Sequence, residues 1–212
     1  MTPAESPARS GRVAESLKRY DNHDSRLPYQ ELMLEAPLGG FTRLPLPSGF
    51  RIVPYAPGDR DVWISMEQSA REFDTFEAGV AAWNRFFAPW EDRLPGRMFF
   101  VADAAGQKVA TASAWHDVRG EDDGVTGWLH WVAVRRESQG LGLSKPLITH
   151  VLCRMQELGY QRAVIPTQTT TWLAVHIYLS LGFKPIPRNA ERSREGWLLV
   201  RELTGNPALD GL

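Results

Sequence analysis

The sequence is poor in cysteine, lacks long apolar runs and carries almost no net charge, and each lack excludes a class of protein. Its one cysteine, Cys153, has no partner for an internal disulfide or a thiolate zinc cluster, which suits a reducing compartment. No stretch reaches the ~18 consecutive apolar residues of a membrane span, and residues 1–30 lack the apolar block of a secretory signal. We therefore expect a cytoplasmic protein that does not bind membranes.

The charge balance argues against a nucleic-acid partner. Lys and Arg number 24 and Asp and Glu number 25, so the net charge is −1 and no global positive field exists to hold a phosphate backbone. The histidines are scattered without ligand spacing, so no metal site is expected. A homodimer is among the assemblies that the sequence allows.

The length of 212 residues suits one domain of roughly 150 residues with an extension. Residues 1–48 are rich in proline and predict an N-terminal arm with one short helix at residues 12–20. Residues 49–203 show regular apolar patterns and predict the folded domain, and residues 204–212 form a tail. A hydrophobic fraction of 43% is sufficient for a real core.

The apolar patterns of residues 49–203 switch repeatedly between the period of a strand and that of a helix. Four segments predict helices: 59–69, 75–87, 143–158 and 170–181. Seven predict strands: 50–55, 98–103, 108–115, 128–134, 162–166, 183–186 and 197–201. This order predicts a mixed α/β fold whose sheet is partly antiparallel and partly parallel.

A glycine-containing segment, Gln139–Lys145, lies between a predicted strand and the strongest predicted helix. Backbone N–H groups and the positive end of the helix dipole meet at such a junction, which predicts an anion site. A dinucleotide loop would need a third glycine where Lys145 stands, and an ATP loop would need Gly directly before this lysine, where Ser144 stands. A plain turn is the alternative interpretation of the glycines.

Two segments carry a resemblance to a known family. Val134–Ser144 resembles the pyrophosphate-binding motif of the GCN5-related N-acetyltransferases, Gln/Arg-x-x-Gly-x-Gly/Ala, although Ser144 stands where Gly or Ala is usual. Thr171–Phe183 resembles the later family segment Asn-x-x-Ala-x-x-x-Tyr-x-x-x-Gly-Phe, with Thr171 in place of the usual Asn. The resemblance covers roughly residues 49–203.

The resemblance implies a fold and an activity. The fold would be a central mixed, mostly antiparallel sheet flanked by helices, in a single domain with an N-terminal extension. The activity would be N-acetylation of the primary amine of a small molecule, with acetyl-CoA as cosubstrate, by direct attack in a ternary complex and without a metal. A protein or peptide N-acetyltransferase and a non-catalytic coenzyme A-binding protein of the same fold remain alternatives.

The resemblance also assigns roles to individual residues. The backbone N–H of Val132 would stabilise the oxyanion, and the Tyr178 hydroxyl would protonate the departing thiolate. His130 is the leading candidate for the base because in a regular strand it would share a face with Val132, although a structural histidine is equally compatible with the pattern. The predicted acetyl-CoA-binding residues are Val132, Ala133, Val134, Gln139, Gly140, Leu141, Gly142, Leu143, Ser144, Lys145, Thr171, Ala174 and Tyr178.

Two further groups are weaker candidates for binding the acceptor amine. One is acidic: Asp117, Glu121, Asp122 and Asp123 in one loop, and Glu67 and Glu72 at the end of the first helix. The other is aromatic: Phe73, Phe76, Trp83, Phe86, Phe87 and Trp90, which could wall a pocket for an apolar or cationic amine or simply fill the core.

Overall fold

The computed structural model describes residues 23–118 and 122–211, so the predicted helix at 12–20, Glu121 and Leu212 lie outside the described residues. The strands are β1 (Glu31–Pro37), β2 (Arg51–Pro54), β3 (Met98–Ala102), β4 (Lys108–Trp115), β5 (Thr126–Val134), β6 (Arg162–Gln168) and β7 (Lys184–Pro185). The α-helices are α1 (Arg60–Ser69), α2 (Phe76–Phe86), α3 (Ser144–Glu157), α4 (Trp172–Ser180), α5 (Pro187–Arg192) and α6 (Arg194–Thr204).

Within the described chain, seven strands form a sheet in the order β2-β3-β4-β5-β6-β1-β7. The pairs β2-β3, β3-β4, β4-β5 and β1-β7 are antiparallel, and β5-β6 is parallel. The predicted fold class, a mixed and mostly antiparallel sheet flanked by helices, is confirmed. No helix of the described segments is long and apolar enough to cross a membrane.

Chain contacts divide the protein into two compact units, of which the larger comprises residues 37–164. Its helix α1 packs against α2, β4 and β5. The core beneath these helices is aromatic: Trp63 has its ring centroid 5.4 Å from that of Trp83 and 5.3 Å from that of Phe87, which in turn lies 5.2 Å from Trp115. Most of the aromatic residues weighed above as pocket walls therefore fill the core here.

Helix α3 supplies further core of the larger unit. It packs against β3, β4 and β5 through an apolar stripe with the period of a helix. The stripe comprises Leu147, Ile148, Val151, Leu152 and Met155. This long amphipathic pattern was the strongest helix signal of the sequence, and the prediction for it is confirmed.

The smaller unit comprises residues 23–36 and 165–211 of the described chain. The Asn189 side chain links its elements: the side-chain oxygen accepts hydrogen bonds from the Met33 backbone N–H (2.9 Å) and from Trp197 Nε1 (3.1 Å). Gly205 follows helix α6, and its φ of 59° is the left-handed conformation that commonly follows a helix.

Two expectations differ from the structure in the smaller unit. The predicted strand at 197–201 is wrong, because these residues belong to α6, which buries Trp197, Val200 and Thr204 at helical spacing. The segment predicted as an arm contains β1, whose side chains alternate between buried and partly exposed positions, with Leu32, Leu34 and Ala36 buried. The domain boundaries at 48/49 and 203/204 stay predictions.

Candidate active site

A β-bulge interrupts β5 in the larger unit. Ser113 of β4 pairs with His130 and Thr111 pairs with Ala133, so Trp131 and Val132 together oppose the single residue Ala112. Trp131 has a φ of 51°, in the left-handed region that costs a bulky L-residue of the order of 1–3 kcal/mol. Bulges of this kind are over-represented beside active sites, where they redirect side chains.

The bulge changes the face of β5 on which His130 lies relative to Val132. In a regular strand His130 and Val132 would share a face, but the extra residue breaks the alternation between them. The register instead puts His130 on the face of Ala133, because their partners Ser113 and Thr111 are two residues apart on β4. His130 therefore lies on the face that α1 and α2 cover, where its ring centroid is 5.4 Å from that of Phe86.

Strand β5 continues beyond the end of its ladder with β6. The ladder with β6 pairs Thr126 with Arg162 and ends at Trp128 with Val164, whereas β5 continues to Val134. The bulge and the end of this ladder fall in the same part of β5. Backbone groups of a strand that outruns its ladder can pair with an extended ligand, as an added strand would.

The loop that follows β5 is tied back to the strand. The Gln139 side-chain amide donates a hydrogen bond to the Val134 carbonyl oxygen over 3.1 Å, so this residue positions the loop. Gly140 and Gly142 have φ values of 78° and 76°, which an L-side chain rarely adopts. A Cβ on Gly142 would lie 3.8 Å from Pro47, so the conformation and not the available space requires glycine there.

The N-terminus of α3 has the features of an anion site. Its N-cap residue, Leu143, makes no side-chain cap, and no acidic residue lies in the first turn. Lys145 in this turn is exposed, as are Gly140 and Leu141 of the loop before it. Backbone N–H groups, the positive end of the helix dipole and an ammonium group thus converge on one accessible place.

Aromatic rings surround the bulge on the face covered by the helices. The Trp131 ring centroid lies 5.3 Å from those of Trp63, Phe73 and Phe86. These rings come from α1, from the segment after it and from α2. The rings pack against one another around the bulge, and we call them the aromatic box.

A set of buried polar atoms on α1, β4 and β5 has no hydrogen-bond partner among the described residues. They are Trp63 Nε1, both carboxyl oxygens of Glu67, Thr111 Oγ1, Ser113 Oγ, Trp115 Nε1 and Trp131 Nε1, which we call the polar strip. A buried polar group without a partner costs about 1–3 kcal/mol. Native proteins leave few buried polar groups unpaired, so a set of this size is unusual.

Glu67 is the most unusual member of the strip. Its residue is 0% exposed, and burial, with a smaller contribution from the charge of Glu72, raises the pKa of its carboxyl well above the usual range. The sequence offers one signal for this: Glu67 follows Trp63 by four residues and so shares its helix face. From the sequence, Glu67 was one of the weaker candidates for binding the acceptor amine.

The acidic loop has a structural role in its described part. The Asp123 carboxylate accepts hydrogen bonds from the backbone N–H groups of Val125 (2.8 Å) and Thr126 (2.6 Å), which lower its pKa. Asp122 accepts a hydrogen bond from the Tyr160 hydroxyl over 2.7 Å. These two carboxylates hold the turn before β5, so their geometry does not depend on an acceptor.

Three predicted site residues belong to the smaller unit. Tyr178 on α4 is 4% exposed, and its ring centroid lies 6.1 Å from that of Phe183. The Thr171 hydroxyl donates to the Gln168 carbonyl oxygen over 3.1 Å, so it has a local structural role. Ala174 is partly exposed on α4. The loop, the bulge and His130 belong to the larger unit.

Known proteins provide an independent comparison. The family described as the acetyltransferase (GNAT) domain matches residues 95–185. Two curated relatives are named mycothiol acetyltransferase. That of Thermobispora bispora is 31% identical over 149 residues, which cover 65% of this chain and 48% of the relative. That of Pseudarthrobacter chlorophenolicus is 28% identical over 144 residues, covering 65% and 43%.

The chain spans about half the length of the curated relatives it matches. A solved structure, a GCN5-related N-acetyltransferase from Sphaerobacter thermophilus, superposes with a TM-score of 0.53 at 20% identity over 73% of this chain and 47% of that one, which shows a shared fold. The matched family covers the two motifs, the bulged strand and the glycine loop up to β7. Residues 95–185 of the chain are therefore similar to the acetyltransferase (GNAT) domain family.

Proposed function

We propose that the protein transfers an acetyl group from acetyl-CoA to the primary amine of a small molecule. The observation that carries the proposal is the sequence of features along β5: a bulge at Trp131, a ladder with β6 that ends at Trp128, and a glycine loop leading to the N-terminus of α3. Together they provide an extended backbone edge followed by an anion site, which matches a donor whose extended arm leads to linked phosphates.

The diphosphate of acetyl-CoA would bind at the start of α3. The segment Gly140–Lys145 presents backbone N–H groups there, and the positive φ of Gly140 and Gly142 lets the main chain turn around an anion. Lys145 adds a positive charge on the exposed side. In this assignment the Gln139 side chain also holds the loop against Val134.

The amide-rich arm of acetyl-CoA would pair with Val132–Val134, beyond the end of the β6 ladder. The thioester oxygen would then lie by the bulge, where the Val132 N–H is our candidate donor to the developing oxyanion. The strained backbone of Trp131 supports this role, because strain at a bulge persists where a local geometry is needed.

Two proton transfers complete the reaction. We assign the protonation of the departing thiolate to Tyr178 on the basis of the motif Thr171–Phe183. An alkylamine of pKa about 10.4 is uncharged only about once in 2,500 molecules at pH 7, so the acceptor must lose a proton before it attacks. His130, buried on the face of β5 that carries the aromatic box, is our candidate for this step.

The names of the curated relatives support a small-molecule acceptor. The cytoplasmic location and the homodimer stay predictions of the sequence.

The test combines binding and turnover. Titration calorimetry should detect acetyl-CoA binding, and release of free coenzyme A thiol should follow when primary amines are added. Binding without thiol release across a broad panel of small amines would contradict the catalytic proposal and favour a coenzyme A-binding protein. Release with N-terminal peptides alone would favour a protein acetyltransferase.

A further inference from the structure

We propose that the polar strip is the binding site for the acceptor, and that this acceptor is a cationic amine which also carries oxygen atoms that accept hydrogen bonds. The inference rests on the proposed function and names the substrate class of the same site. It predicts a preference for polar amines over apolar ones, although the rings around the strip are aromatic.

The members of the strip lie together. Thr111, Ser113 and Trp115 alternate along β4 and therefore share one face. That face is the one covered by α1, because Trp115 belongs to the same core cluster as Trp63. Helix α1 packs on β4 and β5, and Glu67 follows Trp63 by one helical turn.

Trp131 reaches the same place from β5, since its ring meets that of Trp63 edge to face with centroids 5.3 Å apart. The strip is thus lined from α1, β4 and β5, all within the larger unit. Its position beside Val132 puts it next to the proposed oxyanion donor, where an attacking amine is required.

The strip combines three kinds of hydrogen-bonding group: indole donors, a carboxyl and two hydroxyls. The indole N–H groups of Trp63, Trp115 and Trp131 only donate, so their partner must supply acceptor oxygens. The Glu67 carboxyl has no hydrogen-bond partner in the described chain, and an ammonium group beside it would stabilise its ionised form. The hydroxyls of Thr111 and Ser113 both donate and accept.

An apolar alkylamine satisfies only part of this set. It could pair with Glu67 and lie over the aromatic rings, but it would leave the three indole N–H groups without acceptors. A neutral polyol would satisfy the indoles but would bring no cation to the buried carboxyl. An amine bearing hydroxyl, ether or carbonyl oxygens matches both kinds of group.

Three probes with the same three-carbon skeleton test the inference: 2-amino-1,3-propanediol, 2-aminopropane and glycerol. Binding is followed by quenching of tryptophan fluorescence, and turnover of the two amines by thiol release from acetyl-CoA. The aminodiol should bind and be acetylated with a KM roughly 5- to 20-fold below that of 2-aminopropane, the difference expected for one or two hydrogen bonds. Glycerol should bind more weakly than the aminodiol.

Two variants locate the effect. Glu67→Gln should raise the dissociation constant of the aminodiol by roughly 10- to 100-fold, with a smaller change for glycerol, while Glu77→Gln, at an exposed position on α2, should change neither. Thr111→Val keeps the shape of the side chain and should reduce the preference for the aminodiol over 2-aminopropane.

The outcomes separate this inference from the proposed function. Acetylation of 2-aminopropane with a KM equal to or lower than that of the aminodiol, or unchanged affinity in Glu67→Gln, would overturn the inference and leave the acetyltransferase in place. Failure to bind acetyl-CoA would instead overturn the proposed function, and probe binding measured without acetyl-CoA would still decide whether the strip binds polar amines.

Discussion

Tyr178 is the residue on which the proposed chemistry of the thiolate depends. A phenol with a pKa near 10 protonates a thiolate of pKa near 8.5 at little cost, so the position of the hydroxyl matters more than its acidity. Tyr178→Phe should therefore lower kcat by roughly 10²- to 10⁴-fold and leave the dissociation constant of acetyl-CoA nearly unchanged. Tyr29→Phe, at a side chain 69% exposed, is the matched control. A kcat equal to that of the unmodified protein would remove Tyr178 from the mechanism.

The buried carboxyl of Glu67 should make the free energy of unfolding fall as pH rises. Burial raises the pKa of its carboxyl in the folded state, so the folded protein retains a proton that the unfolded chain loses above the ordinary pKa of about 4.5. The contribution of Glu67 to the free energy of unfolding is largest below the ordinary pKa. It falls as pH rises towards the pKa of the folded state, by at most about 1.4 kcal/mol per pH unit.

Glu67→Gln removes this dependence. The variant should be more stable than the unmodified protein at pH 7–8, and the difference should shrink towards pH 5, as measured by urea unfolding at each pH. Equal stabilities across the whole range would show that the carboxyl is paired or hydrated in solution. The expected gain in stability together with a loss of acceptor binding is the trade-off typical of a binding group.

At the scale of elements, the loop between β5 and α3 combines two glycines of positive φ with a helix start that lacks a side-chain cap. Gly142→Ala should strain the loop by about 1 kcal/mol or more, because the added Cβ disfavours its φ of 76°. We expect acetyl-CoA to bind roughly tenfold more weakly in calorimetry. Gly39→Ala has open space around it and should bind normally. Equal affinity of the two variants would contradict a role for the loop in anion binding.

The predictability of the elements follows from how much of each is encoded locally. Helices α1, α2 and α3 and the β3-β4 hairpin repeat an apolar pattern over enough residues to be identified from the sequence. The segment 197–201 is apolar over too short a length to separate a strand from a helix, and α6 is set by packing over its whole length. Strand β1 lies between prolines in a stretch whose composition resembles an arm.

The candidate site likewise divides into a part encoded by neighbouring residues and a part that depends on residues distant in the sequence. Gln139, Gly140 and Gly142 were predicted from sequence because a loop motif is contiguous. The bulge was not predicted, since a tryptophan gives no sign of a left-handed backbone and the register depends on β4. The polar strip was not predicted as a set, because its members come from three separate elements.

For the whole molecule, ligand binding is expected to raise the stability of the folded state and therefore the Tm. A ligand present at 100 times its dissociation constant stabilises the folded state by about 2.7 kcal/mol, which for a chain of this size raises Tm by roughly 5–10 °C. We expect a shift of this size with acetyl-CoA in thermal unfolding followed by circular dichroism. At the same concentration S-acetylpantetheine, which lacks the diphosphate, should give a clearly smaller shift. Equal shifts would mean that the glycine loop contributes little to binding.

The extra residue in β5 has a consequence for how the protein can change over generations. No single amino-acid replacement restores a regular ladder opposite Ala112, because that requires the deletion of a codon. Replacements at Glu67, Thr111 or Ser113, by contrast, alter the chemistry of the strip one group at a time. The geometry at Val132 should therefore be inherited almost unchanged while the range of accepted amines diverges among descendants.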